Sequence, residues 1–218
     1  TLTDHAYDAI LGLIECRSLK PGELVSHRTL ARTLNISKQP ICLALGRLRE
    51  DGVVTSKPRV GTQVALVTAD EMWGMLQWRV ALETRIITLA KDWATEAQKA
   101  DLRQKAEALD KRVEAGEACM RDEMGFHQFL SEICGCDKFR DELKKLNIFH
   151  LKASLCELIA LGDSGQPRKI GVSHVELAHA LSDDGLDPAK LMEAHICQSR
   201  DMRDFTRRYV ENKRKSRQ

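Results

Sequence analysis

Four side chains in the second half of the sequence have the types and spacing of a metal site: Glu123, His127, His174 and His195. Glu123 and His127 stand four residues apart, so on a helix both project to one side, in line with Leu130 and Cys134. His174 continues an apolar stripe of Ile170, Leu177 and Leu181, and His195 continues one of Leu191, Met202 and Tyr209. An imidazole on such a stripe must find a partner inside a bundle. A hydrogen-bonding neighbour or a shared metal ion meets that need equally, and spacing alone leaves both open. Three histidines and one carboxylate suit zinc, nickel or a similar borderline divalent ion. Where coordination positions remain, the carboxylate of a small molecule completes the shell, with Arg79 as a second anchor for that anion. His5, His27, His150 and His179 lack this context.

The first 67 residues carry a different chemistry. They hold nine Lys/Arg against six Asp/Glu in a chain of net charge +2, so the positive excess sits in this segment and favours phosphate contact. Three helical stretches precede a hairpin. The first, Asp4 to Cys16, places Ala6, Ile10, Leu13 and Ile14 at helical spacing and stops before Lys20-Pro21-Gly22. Ser26 caps the second, which turns Leu30, Ala31 and Leu34 inward. The third starts near Ser37, carries Ile41, Leu45 and Leu48 on one face, and ends at Asp51-Gly52. Strands at 53–55 and 62–66 flank the turn Lys57-Pro58-Arg59-Val60-Gly61. This order predicts a winged helix-turn-helix over residues 1–67. Its groove-facing residues are those opening the third helix: Ser37, Lys38, Gln39 and Cys42.

From Thr68 the strand signals stop. Thr68 with Glu71 reads as a capping box, and breaks fall near Thr95, Glu117, Gly135, Gly162–Gln166 and Asp184–Pro188. About six helices are expected over residues 68–218, in an all-α antiparallel bundle. Gly162 to Lys169 reads as a loop, and Lys213 to Arg217 as a solvated, disordered basic tail. The fold class expected is mainly α.

The ordered runs Leu19-Lys20-Pro21-Gly22-Glu23-Leu24, Leu30-Ala31, Ile36-Ser37-Lys38-Gln39-Pro40-Ile41, Ala44-Leu45-Gly46-Arg47-Leu48 and Gly52-Val53-Val54 resemble the N-terminal domain of GntR-type regulators. The pattern of that domain is approximately L-x-P-G-x-x-L, L-A, V-S-R-T-P-V-R-E-A-L-x-R-L, E-G-L-V and a wing containing R-G. By this resemblance Arg28, Ser37, Lys38, Gln39, Arg47, Arg59 and Gly61 approach DNA, and Gly61 lets the wing tip enter the minor groove closely. Two positions depart from it. Lys38 and Cys42 stand where the pattern has arginines, which removes two guanidinium forks and implies an atypical operator or weaker specificity.

The second half resembles the FadR-like (FCD) sensing domain, which has D-x-x-x-H ending in F-H, a histidine six residues before an A-L pair, and A-x-x-L-M-x-x-H. Glu123-x-x-Phe126-His127, His174 before Ala180-Leu181, and Ala189-Lys190-Leu191-Met192-Glu193-Ala194-His195 follow it, as does Arg79-x-x-Leu82-Glu83 on the first helix. Glu123 replaces the aspartate of the pattern, and its longer arm shifts the metal or requires another rotamer. The resemblance implies a transcription regulator, a repressor by family expectation, that binds a palindromic operator in double-stranded DNA as a homodimer and responds to a small organic acid. Trp73, Met75 and Trp78 offer apolar surface for the dimer.

Bulk properties agree with a globular protein. Of 218 residues, 43% are hydrophobic and 30% charged, and no apolar run approaches the length of a membrane span. The seven scattered cysteines fit reduced thiols and a cytoplasmic location. The sequence opens at Thr1, so a start methionine and some leading residues are expected before it. Two alternatives stand beside the metal-bound sensor. One is a metal-free sensor of the same fold; the other is a metal-dependent enzyme, against which no nucleophile or general base accompanies the ligands and the N-terminal domain goes unexplained.

Overall fold

Ala6, Ile10 and Ile14 recur at three- and four-residue intervals and are fully buried, so the first helix has one face it cannot leave in water. The computed structural model describes residues 1–15, 18–118, 120–146, 171–197 and 200–215. His150, Ile170 and the loop expected at Gly162–Lys169 lie outside them, as does the Met202 side chain. The chain divides into two units between Thr68 and Ala69.

In the first unit, α1 (Leu2–Glu15) packs on α3 (Lys38–Glu50), which buries Ile41, Ala44, Leu45 and Leu48. Between them α2 (His27–Leu34) begins at Ser26, whose side chain accepts from the Thr29 N–H. It ends at Asn35 in the left-handed region, φ 52°, a conformation asparagine tolerates and one that turns the chain into α3. Leu30 and Ile36 seal this corner, while Ala31 and Leu34 are only half-buried. The sheet has three antiparallel strands in the order β1-β3-β2: β1 (Leu24–Val25), β2 (Val54–Lys57) and β3 (Gly61–Val64). The sequence pattern predicts the hairpin but not β1, which is too short to show alternation and exists through its pairing of Leu24 with Gln63 and Val25 with Thr62. Helices and hairpin together form a winged helix-turn-helix.

The second unit is all helical: α4 (Ala69–Trp93), α5 (Glu96–Glu114), α6 (Met120–Ile133), α7 (137–146), α8 (His174–Ala180), α9 (Pro188–Cys197) and α10 (Arg200–Lys215). Ile87 and Ala90, Leu102 and Ala106, Leu130, Leu143, Leu177 and Met192 bring one apolar face from each of the first six to a common centre. Full capping boxes set two of the starts, Thr95 with Gln98 before α5 and Ser173 with Glu176 before α8. The basic tail departs from expectation. Residues 213–215 are helical, and Lys213 is held 2.8 Å from Asp70 and over the Tyr209 ring, which stacks on Trp73. Among the described residues no helix is long and apolar enough to cross a membrane.

Gly135 ends α6 at φ 70°, and a Cβ there would lie 2.5 Å from the Trp93 ring. Gly135→Ala is expected to cost about 2 kcal/mol in urea denaturation. An unchanged midpoint would show that the turn has another conformation.

Candidate functional site

Buried imidazoles must have both ring nitrogens accounted for. His127 on α6 is 3% exposed, His174 at the start of α8 is fully buried, and His195 on α9 is half-buried. One ligand atom from each lies within 4.8 Å of the others, and the ring centroids are 4.7 to 6.1 Å apart. Three different oxygens face the three Nδ1 atoms. His127 Nδ1 sits against the Glu83 carboxylate of α4. His174 Nδ1 donates to Asp110 Oδ1 of α5 at 2.6 Å, and His195 Nδ1 donates to the Val172 carbonyl at 2.7 Å. Each contact puts the proton on Nδ1 and leaves the Nε2 lone pair facing the group.

The consequence is sharpest at His174, whose Nε2 is buried and has no hydrogen-bond partner. Leaving such an acceptor unpaired costs about 1–3 kcal/mol. A divalent ion of the borderline class would satisfy it and the other two Nε2 atoms together, so the donor set fits a metal. His127 Nε2 also lies 3.3 Å from Arg79 Nη2, which places a guanidinium at the edge of the cluster.

The charges in this pocket hold one another. Burial would raise the Glu83 carboxyl, but the Arg79 guanidinium and His127 outweigh it and hold it well below the usual carboxylate range. Arg79 Nε contacts the other Glu83 oxygen. Burial likewise opposes ionisation of Asp110, yet His174 and the Val175 N–H lower its pKa. Burial depresses His127, and burial with the two neighbouring imidazoles depresses His195. The neutral imidazole, the form that ligates metals, is therefore favoured at His127 and His195.

Of the residues singled out in the sequence, the structure brings His127, His174, His195 and Arg79 together. Glu123 is half-buried one turn before His127, and its carboxylate is not in the converging group. Glu83, Asp110 and the Val172 carbonyl were not foreseen as histidine partners. A carboxylate on the buried stripe of Leu76, Ile86, Ile87 and Ala90 was the available signal for Glu83. For Asp110 there was none, since its partner lies 64 residues away.

In the first unit Arg28, Ser37, Lys38 and Gln39 are exposed, as are Arg59 and Gly61 at the hairpin turn. The turn needs unusual backbone at both of the latter, φ 64° and 123°. Arg47 is engaged within the unit, 2.6 Å from Asp4 and stacked 4.7 Å from the Tyr7 ring centre.

Residues 2–64 match the family described as bacterial regulatory proteins, gntR family, and residues 74–198 match the FCD domain. The chain belongs to the GntR family, in the group whose helical half is an FCD domain. YdhC, an HTH-type transcriptional regulator of Bacillus subtilis, is 25% identical over 65% of this chain, a match that spans 64% of YdhC. The HTH-type transcriptional repressor RspR of Escherichia coli K12 is 24% identical over 82% of this chain and 78% of its own length. Among solved structures, E. coli McbR/YncC shares the fold with a TM-score of 0.62 at 18% identity, over 100% of this chain and 99% of that one. These families and relatives are DNA-binding transcription regulators, not enzymes.

The depressed imidazoles give stability a pH sign. With His127 and His195 below the ordinary 6.5, the unfolded chain takes up protons first as pH falls. Their contribution is complete above that value and declines below it. In metal-free protein the urea midpoint should hold steady above neutrality and fall as pH drops through 6.5. A midpoint that rises on acidification would contradict the neutral assignment.

Proposed function

We propose that this chain is a ligand-responsive transcription regulator, acting as a repressor, whose helical half binds a divalent metal and a small carboxylate effector. The observation that carries the sensing half is the convergence of three imidazoles, one ligand atom from each within 4.8 Å of the others, with the His174 Nε2 buried and unpaired. Zinc or nickel would be held by His127, His174 and His195 and would supply a Lewis-acidic seat for an effector carboxylate. Arg79, steered by Glu83, presents Nη2 beside that seat and anchors the anion. In the other half, Ser37, Lys38 and Gln39 read the major groove. Arg28, Arg47, Arg59 and Gly61 approach the backbone and minor groove. Residues 1–67 form the DNA-binding domain and 68–218 the sensing and dimerisation domain. The working unit is a cytoplasmic homodimer on a palindromic operator. Effector binding favours one DNA-binding state over the other by its differential affinity.

A metal-free sensor is the second reading, favoured by the proximity of Arg79 to His127 Nε2, which makes an anion seat from protein groups alone. Untagged protein dialysed against zinc or nickel separates the two. The first reading predicts about one equivalent per chain, reduced below half by His174→Ala or His195→Ala. Less than half an equivalent in the wild type would favour the metal-free sensor. Glu123→Gln in the same titration tests the expected fourth ligand: a weakened affinity adds Glu123 to the shell, and an unchanged one leaves three histidines.

A further inference from the structure

The recognition helix α3 has one face committed to the core through Ile41, Ala44, Leu45 and Leu48. The opposite stripe, within about 60° of arc, consists of Gln39, Leu43 and Gly46 and, in the last turn, Glu50. Gln39 is exposed, and Leu43 is 54% exposed. A Cβ on Gly46 would meet nothing within 4 Å, so the backbone there is open to close approach. Arg47, at the margin of this stripe, is drawn back to Asp4 and Tyr7. Over the first two turns and more, from Gln39 to Gly46, the outward stripe thus carries an amide, an isobutyl group and a bare backbone, with its one charge, Glu50, at the far end of the helix. A single exposed leucine is ordinary on a protein surface. Leu43 differs because it stands one turn beyond Gln39 on the helix that this fold lays in the major groove.

The groove edges of an A·T pair match those two side chains. Adenine presents N7 as acceptor and N6 as donor, which a carboxamide meets with two hydrogen bonds, and thymine presents a methyl group. Residues four apart on a helix are separated by roughly 6 Å along its axis, one to two base-pair steps. We infer that Gln39 and Leu43 form an A·T-reading pair, Gln39 on the adenine edge and Leu43 packed on the 5-methyl of a thymine one or two base pairs away. The inference rests on the chain being a DNA-binding regulator and makes Leu43 a specificity-determining residue. It also supplies base readout in place of the two guanidinium forks that Lys38 and Cys42 lack.

The test measures binding of the full chain to duplexes selected from a randomised pool. The selected half-site should contain the adenine and the thymine. Replacing that thymine by deoxyuridine, which removes only the methyl, should weaken wild-type binding about fourfold. Leu43→Ala, at an exposed position that leaves the melting temperature unchanged, should lose that sensitivity. Gln39→Ala should lower the preference for adenine about tenfold or more. A half-site without thymine, or an equal deoxyuridine effect in wild type and Leu43→Ala, would overturn the pair while leaving DNA binding intact. If no sequence is selected even at low salt, the regulator reading fails and the pair fails with it.

Discussion

An imidazole taken out of water must have both nitrogens answered, and three of them stand within a few ångströms of one another in the helical unit. The rest of that unit is arranged around this requirement. Glu83, Asp110 and the Val172 carbonyl each face one Nδ1, which leaves Nε2 as the remaining nitrogen of each ring, and that of His127 meets Arg79. The same contacts fasten α4 to α6 and α5 to α8, and tie α9 to the residue just ahead of the Ser173 cap. Asp110 has a further task, accepting from the Val175 backbone N–H and so helping to end the chain's approach to α8.

Magnitudes separate structural from functional explanations of these groups. A buried ion pair such as Arg79–Glu83 contributes little beyond what apolar residues of equal volume would. Unpaired buried nitrogens cost about 1–3 kcal/mol each. A core selected for stability alone would contain neither. Together they orient lone pairs and place a guanidinium at the cluster edge, which is the arrangement a cation or anion site requires. The winged unit shows the opposite economy. Its core is apolar except for Gln63 on β3, and basic side chains stand on the outer faces of α2, α3 and the hairpin turn.

Much of this was legible in the sequence because the signals were local. The Ser26 cap, the periodic burial along α1 and α3 and the turn around Gly61 each belong to a few neighbouring residues. So do the boundaries at Thr95, Gly135 and Pro188. The three histidines were legible because an imidazole on an apolar stripe is conspicuous. What escaped was tertiary. β1 is a strand only through β3, and Asp110 meets His174 across 64 residues of chain. Lys213 read as part of a solvated tail because Asp70, its partner, lies 143 residues earlier. Glu123 shares the helix face of His127, yet the carboxylate touching that ring is Glu83, which reaches it from α4.

The central claim is the ring arrangement: in metal-free protein His127 and His195 are neutral and protonated on Nδ1, the nitrogen each turns to Glu83 or to the Val172 carbonyl. Long-range proton–nitrogen correlation spectra of the histidine-labelled full chain near neutral pH read each ring nitrogen directly. The account predicts that His127 and His195 carry their proton on Nδ1, with Nε2 at the shift of an unprotonated nitrogen. Either of these rings protonated on Nε2, or on both nitrogens, would contradict it.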